Sequence, residues 1–264
     1  EAAKKRINEL RKELNKHNFL YYVSSQPVIS DFDFDMMLEE LIRLESEYPQ
    51  FFDENSPSQR VGGEVTKDFP AVKHRFPMLS LSNSYSKEEV TEWENRLKKL
   101  ADGKLEYVCE LKYDGVAIGI AYKHGKMVRA VTRGDGESGE DITPNVKTIK
   151  SIPLELDGKD FPDDFEIRGE IFFPRKNFDK LNKEREEAGE PVFANPRNTA
   201  SGTLKLQDSS IVAKRGLDCY LYGIYGENLK FKEHFESLHA AEKWGFKSPK
   251  VKDHFIRLCN SIDE

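Results

Sequence analysis

Lys112 stands in the run Tyr107-Val108-Cys109-Glu110-Leu111-Lys112-Tyr113-Asp114-Gly115, two residues after one carboxylate and two before another. A lysine amine attacks only when neutral, and a free one, with a pKa near ~10.4, is almost wholly protonated at neutral pH. Partial burial, or a neighbouring cation or metal, lowers that value and exposes the lone pair. A lysine held in this way suits covalent nucleophilic catalysis. The alternative is a surface lysine ahead of a turn, and the four residues Lys-x-Asp-Gly alone fit that alternative better. The other chemistry-bearing stretches must decide.

Tyr21 and Tyr22 come shortly before Asp31, Phe32, Asp33, Phe34 and Asp35. Aromatic faces and carboxylates near a turn could hold a flat cationic ring and ribose hydroxyls. Acids at a helix start and aromatics stapling two helices explain the same pattern without a ligand. Arg133 precedes Gly134-Asp135-Gly136-Glu137-Ser138-Gly139, which has the glycine spacing of a dinucleotide-binding loop. Asp135, Glu137, Glu140 and Asp141 crowd the place of a pyrophosphate and no good helix opens at the glycines, so a tight turn is expected instead. Arg133 at its edge could meet a phosphate or ribose, or face solvent. Arg197, Lys205, Lys214 and Arg215 form the best local basic group.

The net charge of −6 over 264 residues argues against a uniformly basic nucleic-acid coat but leaves room for a local groove. Cys109, Cys219 and Cys259 are far apart with no Cys-x-x-Cys pair, so no zinc ribbon is expected and reduced thiols in a cytoplasmic protein are. No apolar run is long enough for a membrane span, and no signal peptide is visible. The chain opens on Glu1 without methionine and stops in a polar stretch, as a piece of a longer polypeptide would.

The elements that must position these residues follow from periodicity. Residues 2–22 carry Ile7, Leu10, Leu14 and Tyr21 near helical spacing. Ser30 can cap a second helix whose apolar stripe is Phe34, Met37, Leu38, Leu41 and Leu44, ending at Tyr48-Pro49. Residues 55–63 read as a connection, which divides the chain into a helical domain over 1–65 and a larger domain over 66–264. In the larger one, residues 78–81 read as a short strand and 87–100 as a helix capped by Ser86, with Val90, Trp93 and Leu97 inward. Alternation over 107–112 predicts a strand that Asp114-Gly115 turns into a second strand over 116–122, placing Lys112 at the mouth of a hairpin. Further strands are expected over 126–132, 166–173 and 217–224. In the 166–173 strand Arg168 and Glu170 share a face, and Gly169 admits close approach of a backbone or ligand. Helices are expected over 176–188 and, as the last element, 232–244, with a shaped loop over 193–198. The fold class is α+β: a small helical hairpin domain, then an antiparallel sheet carrying the site with helices packed outside.

Read in order, these stretches resemble the N-terminal part of bacterial NAD-dependent DNA ligases over essentially the whole chain. The resemblance rests on Tyr21-Tyr22 through Asp35, Ser56-Pro57-Ser58-Gln59-Arg60-Val61-Gly62, Met78-Leu79-Ser80-Leu81, Cys109 through Gly115, Thr132 through Gly136, Arg168-Gly169-Glu170 and Phe193 through Asn198. It implies a mononucleotide-gripping helical domain, with Tyr21, Tyr22 and the segment Asp31, Phe32, Asp33, Phe34, Asp35 at the nicotinamide half of NAD. It implies a nucleotidyltransferase domain (an ATP-grasp-like antiparallel sheet) for the adenylate half, with Glu110 at the adenine and Ser80 and Leu81 beside the nucleotide. Arg133 and Glu170 match groups around the ribose and phosphate. Lys112 matches the lysine that takes the adenylyl group, which then passes to the 5′-phosphate of a nick in duplex DNA.

Such a transfer gathers negative charge on phosphate oxygens, so a divalent Mg2+ or Mn2+ is expected, with Asp114 and Glu170 as metal-side groups and no preformed protein cage. Three positions depart from the family: Phe34 stands where a tyrosine is usual, Tyr22 where others have histidine, and Lys205 where an arginine is common, keeping the charge but losing the fork. The resemblance implies that two phosphate-side lysines, an oligonucleotide-binding barrel, a four-cysteine zinc site, a helix-hairpin-helix region and a C-terminal module would lie beyond residue 264. The chain alone is therefore expected not to seal a nick, to adenylylate itself weakly or not at all, to bind nicked DNA weakly, and to be a monomer in the bacterial cytoplasm. The rival readings are an ATP-dependent ligase or capping-type nucleotidyltransferase, which share Lys-x-Asp-Gly chemistry, and a non-catalytic nucleotide-binding module in which the motif is coincidental.

Overall fold

The computed structural model describes residues 2–24, 26, 28–60, 68–158, 160–248 and 256–264; the side chain of Asp31, and Val61 and Gly62 of the Ser-Pro-Ser-Gln-Arg-Val-Gly stretch, lie outside the described residues. Helix α1 (Ala2–Asn18) buries Ile7, Leu10 and Leu14 against Leu41 and Leu44 of α2 (Asp31–Glu47). That is the 3–4 spacing of a single apolar stripe on each helix. Arg6 forks onto Glu40 at 2.8 and 2.7 Å, and Arg11 pairs with the buried Glu45 at 2.5 Å. Ser30 caps α2 by accepting from Asp33 N at 3.1 Å, a contact worth about 1 kcal/mol. The α-helix expected to run to residue 22 stops at Asn18 and continues as a π-helical turn, Phe19–Val23. The wider turn sets Tyr21 and Tyr22 side by side, ring centroids 4.6 Å apart.

The larger part follows as β1 (Ala71–Lys73), α3 (Lys87–Leu97), β2 (Tyr107–Glu110), β3 (Val116–Lys123), β4 (Lys126–Thr132), β5 (Ser138–Glu140), α4 (Thr143–Lys147), β6 (Asp164–Phe172), α5 (Arg175–Glu187), α6 (Pro196–Leu204), α7 (Ser209–Arg215), β7 (Asp218–Tyr225), α8 (His234–Lys243) and β8 (Ile256–Cys259). A four-stranded antiparallel sheet in the order β4-β3-β6-β7 carries the core. Ile118, Ile120, Tyr122, Phe165, Ile167 and Trp244 are among the residues buried there. The architecture is the expected α+β one.

The local pairing differs from expectation at the Lys112 stretch. β2 does not fold back on β3; it pairs with β8, Tyr107 opposite Cys259, in a separate two-stranded sheet. Both edges of β3 are taken, one by β4 and one by β6, so no edge remains for β2. Lys112 is therefore on a link between two sheets rather than on a strand. Residues 78–81 form no strand; only Met78 is buried, its N–H donating to Gly136 O at 2.8 Å, while Leu79 and Leu81 are 84% and 78% exposed. α3 ends at Leu97, and its Trp93 stays partly exposed against Tyr107. The loop expected over 193–198 ends early: Asn195 accepts from Asn198 N at 3.1 Å and Pro196 opens α6, the N-cap and first-turn proline arrangement. The helix near residue 240 is not the last element, because β8 follows it. The glycine-spaced run 134–139 is a tight turn, as expected, with Asp135 Oδ1 accepting from the N–H groups of Glu137 and Ser138.

Candidate active site

Lys112 is held through its neighbour. The Tyr113 ring stacks on Tyr220, centroids 4.5 Å apart, and lies near-parallel to Phe172 at 6.1 Å. Burial, with Tyr220 and Glu110 nearby, pushes the Tyr113 phenol up to about 12, so it stays neutral. Two residues on, Gly115 is pressed against β6: a Cβ there would lie 2.1 Å from Ile171 O. That contact explains a glycine at this position. With Tyr113 stacked and Gly115 pinned, the backbone on both sides of Asp114 is fixed. The Lys112 side chain itself is exposed. Of the alternatives of burial and a neighbouring cation or metal, burial is not observed, since the link carries this lysine over the surface instead of along a strand.

The groups around it form a charged cluster. Glu170 Oε1 accepts from Gly115 N at 3.2 Å, and Arg197 pairs with Asp114 at 3.2 Å. Burial raises the Glu170 carboxyl above its ordinary range; the Lys112 ammonium, the Gly115 N–H and Arg197 work against that rise, and Asp114 adds to it. Lys112, on the link, and Glu170, in β6, are thus electrostatic neighbours. Gly169, expected to admit a ligand or a backbone, admits a backbone: its missing Cβ would meet Tyr220 O of β7 at 2.6 Å.

Arg133 follows β4 and donates to Ser80 at 3.3 Å, both exposed. The chain leading to Ser80 and Leu81 is anchored by Arg168. Only 4% exposed, that residue's guanidinium donates to Pro77 O at 2.9 Å and to Phe76 O, pairs with Glu166 at 2.8 Å, and lies 3.9 Å over the Tyr225 ring. Glu110, half-buried, meets His234 at 2.5 Å between Oε1 and Nε2. The sequence offers no sign of His234; it joins Glu110 across 124 positions, at the first turn of α8.

Of the hairpin residues, Tyr21 packs on Tyr22, and Tyr22 and Phe34 meet at one lysine. Phe32, Asp33 and Asp35 are exposed, Phe34 is half-buried, and Lys150 from beyond α4 reaches Tyr22 and Phe34. The hairpin is tied to the sheet domain by Arg60, which donates to Lys147 O and Ile149 O at 3.2 Å and to Ile152 O at 3.0 Å. Asp53 accepts from Lys126 at 2.5 Å nearby. A cavity of about 460 Å3 opens along this junction, lined by Arg11, Asn18, Arg60, Lys150, Ser151 and Trp244 among others. It does not include the Lys112 cluster. Among the described residues no group of three or more His, Cys, Asp or Glu side chains is placed to hold a metal.

Residues 66–264 match the family described as NAD-dependent DNA ligase adenylation domain, and residues 1–62 match the DNA ligase-like, N-terminal NAD+-binding domain. Proteins named DNA ligase are similar along the chain. The one from Flavobacterium psychrophilum is 56% identical over 258 residues, 97% of this chain and 38% of the relative. That from Christiangramia forsetii is 56% identical over 262 residues, 99% and 39%, and that from Bacteroides fragilis 53% identical over 264 residues, 100% and 39%. The chain thus spans about two fifths of the length of these curated relatives. No helix among the described residues is long and apolar enough to cross a membrane. With both family matches laid end to end over this fold, the chain belongs to the NAD-dependent DNA ligases, as their NAD+-binding and adenylation domains.

Proposed function

We propose that the Lys112 amine attacks the adenylyl phosphorus of NAD, so that an N–P bond forms as the pyrophosphate P–O bond breaks and nicotinamide mononucleotide leaves. The AMP is then available to the 5′-phosphate of nicked duplex DNA. The chain divides near residue 65 into a mononucleotide-gripping hairpin and an adenylating domain. The observation that carries this reading is the fixed Tyr113–Gly115 link, which sets an exposed lysine among Asp114, Glu170 and Arg197. An exposed amine is free to meet a phosphorus, and it must shed a proton first. Magnesium, when bound, supplies positive charge to the phosphate oxygens in the transition state.

Around that event the protein's own groups position and stabilise. Arg133 and Ser80 meet at 3.3 Å on the edge that would face ribose and phosphate. Leu81 offers an exposed apolar surface for the adenine, and Glu110, fixed by His234, a hydrogen-bonding edge. Tyr21, Tyr22, Asp31, Phe32, Asp33, Phe34 and Asp35 would grip the nicotinamide mononucleotide half. Contact with DNA would be weak and salt-sensitive: Arg197 and Lys205 of the basic group are already paired with Asp114 at 3.2 Å and Glu140 at 2.6 Å. The experiment is to incubate the protein with magnesium and either NAD or ATP and follow protein-bound AMP. NAD should label it, however slowly, and ATP should not; label from ATP would replace this reading with that of a triphosphate-dependent enzyme.

Glu170 tests the same cluster from the side of stability. A carboxyl whose folded pKa is raised costs stability above that pKa, and the cost disappears as pH falls through it toward the unfolded value. Glu170→Gln is therefore expected to leave the urea midpoint at pH 7 unchanged or higher, the gap to wild type closing as the pH falls toward 4.5. Adduct formation should drop by about 10- to 100-fold, the scale of losing one preorganised electrostatic group. A variant that is less stable at pH 7 and as active as wild type would remove Glu170 from the site.

A further inference from the structure

The aromatic pair on the hairpin already faces a cation. Lys150 Nζ lies 5.2 Å from the centroid of the Tyr22 ring and 6.0 Å from that of Phe34, and donates to Tyr22 Oη at 3.1 Å. Lys150 comes from the sheet domain, just after α4, and among the described residues it forms no ion pair. Its position does not depend on these rings alone. Ile149 and Ile152 on either side are buried in the core, and their carbonyls accept from Arg60. The Lys150 ammonium is thus carried to the rings by a rigid stretch of chain.

Two aromatic rings within about 6 Å of one positive charge attract other cations of suitable size. The oxidised nicotinamide ring is such a cation. We propose that Lys150 occupies, as an intramolecular substitute, the aromatic cradle that takes the nicotinamide ring, so that the mononucleotide half of the substrate must displace it to bind. Lys150 thereby sets the affinity of the hairpin for its ligand without belonging to the ligand's own contacts. The proposal rests on the mononucleotide assignment of Tyr22 and Phe34 made above.

The contact is solvent-exposed, so displacing it costs little. An exposed cation–π contact corresponds to about a two- to five-fold change in an equilibrium constant, or about 0.5–1 kcal/mol. Lys150→Met keeps the apolar stem and removes the charge. Titrating the 264-residue chain with nicotinamide mononucleotide should show Kd falling by about two- to five-fold in this variant, with AMP affinity unchanged. Lys150→Arg should bind as wild type does. Unchanged mononucleotide affinity in Lys150→Met would overturn the proposal. So would weaker binding, which would make Lys150 a partner of the ligand's phosphate, or an equal gain for AMP, which would place the effect outside the cradle. Tyr22→Leu separates the two levels. If it weakens mononucleotide binding while Lys150→Met does nothing, only the proposal fails. If it leaves mononucleotide binding unchanged, the assignment of the hairpin fails as well.

Discussion

Lys112→Ala should lower formation of protein-bound AMP from NAD by at least about 10³-fold, since removing a covalent nucleophile takes away the step and not merely a contact. The loss is best read both in this chain and in a full-length ligase carrying its sequence, where turnover is easier to follow. Asp114, Glu170, Arg133 and Arg197 would still be in place, because Tyr113 and Gly115, and not the Lys112 side chain, hold the link. NAD affinity should therefore change by no more than about threefold, the scale of one exposed charged contact. Lys112→Arg keeps a positive charge in the cluster and offers no nucleophile, because a guanidinium does not deprotonate. It should be as inactive as the alanine variant while binding NAD like wild type. Residual adduct in Lys112→Arg above about a tenth of the wild-type rate would mean that charge, not attack, is what this lysine supplies.

Arg60→Ala should be the most destabilising single change at the junction between hairpin and sheet domain. The guanidinium is 6% exposed and feeds three main-chain carbonyls of the stretch 147–152. Burial depresses its pKa to about 10, so it remains charged at neutral pH. Alanine would leave three acceptors without a donor. Each such group costs about 1–3 kcal/mol when buried, and water entering from the adjoining cavity would recover part of this. A net loss of about 2–4 kcal/mol is expected in urea unfolding followed by tryptophan fluorescence in a Trp93→Phe background, where the signal comes from Trp244, buried beside the same cavity. Arg60→Lys restores the charge but not the planar fork and should recover less than half of the loss. A shift below about 0.5 kcal/mol would show that the carbonyls find water and that the arginine is no structural link. The same variant should loosen Lys150, whose neighbours Ile149 and Ile152 supply two of the three carbonyls.

What was legible in the sequence was local. Ser30 and Ser86 cap helices where a hydroxyl precedes an amphipathic run, and Asp135 closes the glycine turn that excludes a dinucleotide loop. The stripes Ile7-Leu10-Leu14 and Leu41-Leu44 pair as their spacing requires. What failed was partner choice. Alternation marks Tyr107–Glu110 as a strand, but period two says nothing about which strand lies alongside, and the partner is Ile256–Cys259, nearly the whole larger domain away. The proximity of Asp114 and Gly115 made a hairpin the economical reading, whereas β3 has both edges occupied. Asn195-Pro196 carried a readable helix start that the apolar periodicity of α6 was too weak to support.

The site shows the same division. Lys112, Asp114, Arg133 and Glu170 could be named from short motifs, and three of them, Lys112, Asp114 and Glu170, meet through tertiary structure. His234 and Lys150 could not be named, because a histidine in a helix turn and a lysine after one carry no pattern of their own. Their meaning comes only from Glu110, 124 positions away, and Tyr22, 128 positions away.

The most direct test is to incubate the protein with NAD and magnesium, digest it under conditions that preserve phosphoramidates, and locate AMP on the peptides by mass spectrometry. AMP is expected on the Lys112 nitrogen and on no other residue, at whatever yield the chain attains. AMP attached elsewhere, while Lys112 stays unmodified, would contradict it.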